Sequence, residues 1–329
     1  MELRKIISFG KGSFIISLPK PWVTKHHLSK GSILSIEEGV SSLIISTSLS
    51  ETKKEPKEIT INADNKSLSE IRTEIVTAYL GTYDTIEIYS KSINSKDEQI
   101  KDAIKNLAGL EILEQTNSKI TAKFLLDTRE ISIPSLIRRM DNITRSLIID
   151  AIECIQGGCN YISIKQRDMD INRLHFLVMR SARKEMCSPK NNAWNLYKII
   201  IIAEKLEKIA DHQKRIARCL EQLKLSENFA QELKKVHIEI KDSFCQVMKS
   251  YYEKDKKLAM KIEQSNKKRI FTCDSILGKD IKKEYKMALT DKQLIPHVHE
   301  HMIMTEIISN LKAMTTSIKM IVRAVMNNN

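Results

Sequence analysis

From Ser132 to Met326 the apolar residues recur at steps of three and four, and this period leaves little choice of fold: the segment must build helices that bury one stripe each. The clearest stretch runs from Ala193 to Leu220. There Ile199, Ala203, Leu206, Ile209 and Ala210, then Ile216, Ala217 and Leu220 after a break at Gln213, form the seam of a helical bundle. Before it, Ser132 is placed to cap a helix and Pro134 suits its first turn. Ile137, Met140, Ile143, Leu147, Ala151 and Ile155 carry that stripe, and Gly157-Gly158 ends it. A second helix is expected to open near Asp168 and to bury Ile171, Leu174, Val178 and Ala182. Three helices make one antiparallel bundle, residues 132–224.

The order then repeats over residues 225–329. Phe229 to Tyr251 turns Leu233, Val236, Ile240, Phe244 and Val247 inward, Lys256 to Leu277 reads as a weaker helix, and Ile295 to Met326 is a long one lined by Ile307, Leu311, Met314, Ile318 and Val322. An internal duplication of a three-helix unit explains this order.

On the seam helix Glu207 and Asp211 lie four residues apart, on one face, where like charges repel. Two readings are open. Glu204 with Lys208 and Asp211 with Arg215 could form a solvated ladder of ion pairs; alternatively, the carboxylates hold a hard cation.

Lys and Arg number 54 against 41 acids, a formal net charge of +13, and the sequence pI is about 9.3. An anionic partner suits that balance, whether nucleic acid, a membrane surface or phosphate. The six cysteines, 154, 159, 187, 219, 245 and 273, show no CxxC pair and no regular spacing, so they are expected to be reduced thiols of a cytoplasmic protein. The sequence has no run of ~20 apolar residues, so membrane insertion is not expected.

The first 47 residues differ from everything that follows. Leu3 to Ser8, Ser13 to Leu18, Ser32 to Glu37 and Ser42 to Ser46 read as short strands, with a short helix from Pro21 to His27 between the second and third. So small a set of strands buries too little to stand alone, and dimerisation or docking is expected. Up to Gly31, Arg4, Lys5, Lys11, Lys20, Lys25 and Lys30 face the single acid Glu2, a balance suited to phosphate-backbone contact.

The segment Arg4-Lys5 to Gly31, with Gly10-Lys11-Gly12-Ser13, Ile15-Ile16-Ser17-Leu18-Pro19-Lys20, Trp22-Val23 and Lys30-Gly31, resembles the swapped-hairpin DNA-binding module of the AbrB and SpoVT type. The resemblance implies a small β-barrel interlaced from two copies, with Arg4, Lys5, Lys11, Lys20 and Lys25 as the DNA contacts. Gly10-Lys-Gly-Ser is not a Walker A loop, because Gly12 follows Lys11 where Ser or Thr is required.

Residues 48–57 are a polar linker. Residues 58–131 then give a strand (Glu58 to Asn62), a helix (Leu68 to Leu80), a strand (Thr85 to Tyr89), a helix (Lys96 to Ala108) and a hairpin (Glu111 to Gln115 and Lys119 to Phe124), which make a small α+β domain without a catalytic cluster. This domain reads as a spacer or regulatory module.

Leu206-Glu207-Lys208-Ile209-Ala210-Asp211-His212 is similar to the Leu-Glu-Arg-Ile-Gly-Asp signature of the PhoU family of phosphate-uptake regulators, whose Glu-xxx-Asp pair binds metal in some members. That resemblance covers Ser132 to Met326, and archaeal-type proteins that join an AbrB-like N-terminus to a PhoU region share the whole layout. It implies a divalent or iron-type metal ion at Glu207 and Asp211, with Asp168 from the second helix. The sequence departs from the family in two places: Asn172 stands where an Asp would follow Asp168, and Ser309 and Ala313 occupy the equivalents of Glu207 and Asp211 in the second repeat.

His297 and His301 share a helix face at a spacing that zinc sites use, but no HExxH is present and a solvated helix start is the simpler reading. No Ser/His/Asp or Cys/His arrangement points to an enzyme. The sequence therefore describes a multidomain α+β chain with an N-terminal swapped-hairpin barrel in a homodimer, a small α+β middle domain and C-terminal tandem three-helix bundles. The expected function is a cytoplasmic DNA-binding regulator of phosphate uptake. The rival expectation is a regulator that does not bind DNA and docks its bundles on a phosphate transporter's ATPase or another phosphate-signalling protein.

Overall fold

The structure is a computed structural model that describes residues 2–38, 42–47, 56–91, 97–127, 132–186, 192–223, 225–288 and 294–327, with side chains not described at residues 37, 277–288 and 294–298. Most of the expected linker lies outside the described residues. The chain divides into an N-terminal unit, Met1–Glu55, and a second unit formed by nearly all the rest.

In the N-terminal unit, β1 (Ile7–Phe9) pairs antiparallel with β2 (Ser13–Ile15), and β3 (Ser35–Glu38) with β4 (Leu43–Ser46); α1 (Lys20–Lys25) lies between the two hairpins in sequence. Gly10 turns the first hairpin with φ +67, a backbone conformation that glycine adopts without steric cost. The strands are shorter than the periodicity suggests. Each described hairpin is a separate two-stranded sheet, and among the described residues the strands do not close into a barrel. Pairing stops where no further strand is at hand, which leaves Leu3, Phe9, Phe14, Ile36 and Leu43 exposed, Phe14 by 75%.

The second unit begins with a four-stranded sheet of order β5-β6-β8-β7: β5 (Glu58–Asn62), β6 (Thr85–Tyr89), β7 (Leu110–Gln115) and β8 (Lys119–Phe124). β5 and β6 run parallel because α2 (Leu68–Leu80) crosses between them, and the β7–β8 hairpin pairs antiparallel with β6 and carries a bulge between Ile112 and Glu114. Ser67 and Glu70 cap α2 reciprocally, a capping box. Alternate residues Ile61, Ile86, Ile88, Ile120 and Ala122 face α2 and α3 (Asp97–Lys105), where Ile71, Ile75, Ile100 and Ile104 complete a core of their own.

Six helices follow: α4 (Ile133–Cys154), α5 (Tyr161–Met186), α6 (Ala193–Gln222), α7 (Glu227–Glu253), α8 (Lys256–Ala288) and α9 (Leu294–Met326). Ser132, Asn192 and Ser226 cap α4, α6 and α7 with their side-chain oxygens. α5 starts seven residues before the expected Asp168, because Asn160 accepts from the Ser163 amide and starts the helix there. The stripes read from the sequence are buried, except that Ile143 and Ile199 are half-buried against them, and they form one continuous core through the six helices in which α6 and α9 are the central pair.

Two sets of buried polar contacts hold this arrangement. Gln213, the apparent break in the α6 stripe, is fully buried; it accepts from His237 on α7 at 3.0 Å and reaches the Met314 sulfur on α9 at 2.8 Å. Burial holds the His237 imidazole down to about 3. Arg180 of α5, 2% exposed, donates to the carbonyls of Tyr79 and Tyr83 at the end of α2 and lies 4.0 Å from the Phe124 ring centre, so the α+β layer is fastened to the first bundle.

The cysteines depart from expectation. Cys154 and Cys159 are joined in a disulfide across the α4–α5 turn, where Gly157 at φ +92 folds the chain back and brings their Cα atoms to 4.1 Å. Proximity after the turn, which spacing alone does not reveal, overturns the expectation of six reduced thiols. Cys219, Cys245 and Cys273 are free, and Cys187 lies outside the described residues.

Candidate functional site

Of the acidic residues singled out, Asp168 projects from α5 and Glu207 and Asp211 from α6, and the fold brings all three to one side of the α5–α6 contact. Asp168 is 4% exposed, whereas Glu207 and Asp211 are half-buried. Sequence reasoning missed the residue at their centre. The Lys214 ammonium lies 2.7 Å from Asp168 Oδ2 and 2.9 Å from Asp211 Oδ1, a cation bridging the two helices. The spacing could have shown it: Lys214 follows Asp211 by three residues and Glu207 by seven, on one helical face.

The expected ion-pair ladder forms in part. Arg215 donates to Asp211 Oδ2 at 2.8 Å, as its spacing suggests. Glu204, however, pairs with its neighbour Lys205 at 2.9 Å rather than with Lys208. Asn172, in the place of the expected Asp, donates to Asp168 Oδ2 at 3.4 Å.

The electrostatics follow from this geometry. Burial pushes the Asp168 carboxyl up, and the Lys214 contact offsets only part of that. Burial also pushes Glu207 up; the Lys208 charge opposes this, and the neighbouring Asp211 and Asp168 charges add to it. At Asp211 burial acts in the same direction, but Lys214 and Arg215 together outweigh it and hold the carboxyl below its usual range. Lys214 loses hydration, yet its two carboxylate partners raise it above the usual lysine range, so it stays charged.

These residues do not fit a bound metal well. Asp168 Oδ2 is already engaged by Lys214 and Asn172, Asp211 Oδ1 by Lys214 and Asp211 Oδ2 by Arg215. Among the described residues there is no group of three or more His, Cys, Asp or Glu side chains placed to hold an ion. His299 and His301 lie on α9, but the His297 side chain is outside the described residues, so the histidine pair is not defined.

In the N-terminal unit Arg4, Lys5, Lys11, Lys20 and Lys25 are all exposed. Arg4 pairs locally with Glu2 at 2.5 Å, and Lys25 closes the last turn of α1. None is turned into packed protein. Among the described residues no helix is long and apolar enough to cross a membrane.

Fold and cluster together define a helical-bundle protein whose six helices pack three and three, with a charged junction in the first set. Residues 137–220, most of that first repeat, match the family model described as the PhoU domain. Among solved structures the chain is similar to the crystal structure of PhoU from Pseudomonas aeruginosa, with a TM-score of 0.51 and 17% identity over 59% of this chain and 93% of that one. At that identity the likeness establishes the fold. A search of curated proteins finds no match.

Proposed function

We propose that the chain is a DNA-binding regulator of phosphate homeostasis that works as a homodimer. The observation that carries this reading is the N-terminal unit, in which five cations stand exposed before β1, in the first hairpin turn and on α1, while Leu3, Phe9, Phe14, Ile36 and Leu43 are uncovered. Apolar residues this exposed need a cover, and a second copy that interlaces its hairpins would bury them and bring ten cations onto one surface. Arg4, Lys5, Lys11, Lys20 and Lys25 would then follow a phosphate backbone. The phosphate assignment rests on the PhoU domain match over residues 137–220 and on the shared bundle fold. No catalytic role is assigned, and regulation would pass from the bundles to the hairpins by changing how the two copies are placed.

Full-length protein titrated with duplex DNA at low and physiological salt tests the reading. Affinity should fall steeply as salt rises, and Lys11→Ala and Lys20→Ala should each weaken binding and lower the salt slope by about 1 for every phosphate contact removed. Absence of salt-sensitive binding would instead favour a regulator that docks its bundles on a transporter ATPase or a signalling protein and uses its N-terminus only to dimerise.

A further inference from the structure

We propose that Lys214 is the resident cation of the α5–α6 carboxylate cluster, so that this bundle is assembled without the metal its acidic pair suggests. The inference does not depend on DNA binding.

A hard divalent ion takes about six oxygen ligands and needs them free and convergent. Here Asp168 Oδ2 and both oxygens of Asp211 are committed. Lys214 occupies the position between Asp168 and Asp211 at 2.7 and 2.9 Å, Arg215 covers the other oxygen of Asp211, and Asn172 offers an amide N–H where a carboxylate would be needed. Against three carboxylates stand two fixed positive charges. A divalent ion entering the cluster would have to displace an ammonium tethered to the same helix as two of the acids. That ammonium is held at high effective concentration and is desolvated along with its partners. Lys214 thus supplies the charge that lets Asp168 be buried at the helix contact, and it does so at any metal concentration. Glu207, which Lys208 and Lys214 attract only at longer range, and Asp168 Oδ1 are the oxygen donors left over.

The test uses the full-length chain, stripped with chelator and titrated separately with Mn²⁺, Fe²⁺ and Zn²⁺, and it reads the metal uptake that Asp168→Asn abolishes. The wild-type chain is expected to show none, and its melting temperature should not respond to chelator through this site. Lys214→Ala, which leaves the carboxylates and removes the ammonium, should take up a divalent ion in stoichiometric amount and should melt higher when that ion is added. Should Lys214→Ala fail to fold, Lys214→Gln opens the same position while keeping most of the side chain. Stoichiometric, Asp168-dependent uptake by the wild-type chain would overturn the proposal. So would a folded Lys214 variant that takes up no metal.

Discussion

Glu207 sits four residues from Asp211 with no cation within ion-pair reach among the described residues, and burial raises its carboxyl. An acid whose folded value is raised costs stability when it is ionised in both states, that is, above its folded value. The cost disappears once the pH is below the unfolded value near 4.5, where both states are protonated. Glu207→Gln is therefore expected to stabilise the chain at neutral pH by about 0.2–0.5 kcal/mol, the size of a like-charge helix pair, and denaturant midpoints should show that gain vanishing in acid. Lys214→Ala acts in the opposite direction. It strands Asp168 without its cation and should cost about 3 kcal/mol, at the low end for a buried pair because Lys214 keeps partial access to water. His237 gives a third test. Burial holds the folded imidazole well below the unfolded value near 6.5, so stability should fall as the pH is lowered through 6.5, by about 1.4 kcal/mol for the first full pH unit below it. His237→Gln should flatten that part of the pH profile.

At the scale of elements, two fastenings set the geometry. Arg180 satisfies carbonyls at the end of α2 while its guanidinium lies against Phe124, and Arg180→Lys keeps the charge but loses the fork and the flat stacking surface. Exchange of the amides at the end of α2 should quicken in that variant while the α6 amides keep their protection. The Cys154–Cys159 bond closes a loop of only a few residues, so its reduction should lower stability by about 2 kcal/mol at most, measurable as a shift of the denaturation midpoint with reductant. How far each element was legible follows from how its residues find their partners. Strand and helix limits in the α+β layer could be read closely, because alternation and the Ser67 cap are local signals. The start of α5 was missed because Asn160, a cap with no apolar stripe after it until Ile164, sits in a stretch that reads as a turn. The disulfide was missed for a different reason. Its two cysteines meet only because Gly157 reverses the chain, and backbone direction is not written in the spacing. Lys214 stood in plain view, but its role depends on Asp168 arriving from another helix, and no single-helix pattern contains that.

For the whole molecule, the bundle core was legible because each of its stripes is a property of one helix, and α6 packs on α4 and α5 of its own bundle and on α9 of the other. In the N-terminal unit, Leu3, Phe9, Phe14, Ile36 and Leu43 are exposed, and the proposed second copy would cover them. In the proposed function two such chains grip DNA through Arg4, Lys5, Lys11, Lys20 and Lys25 and release or reposition it as phosphate status changes. Crosslinking the full-length chain to the genome in cells under phosphate excess and under starvation measures both halves of that claim at once. Discrete sites whose occupancy changes between the two conditions, and that are lost in the chain carrying Lys11→Glu and Lys20→Glu, are the expected result. A map with no enriched sites in either condition, from protein shown to be folded and present, would contradict it.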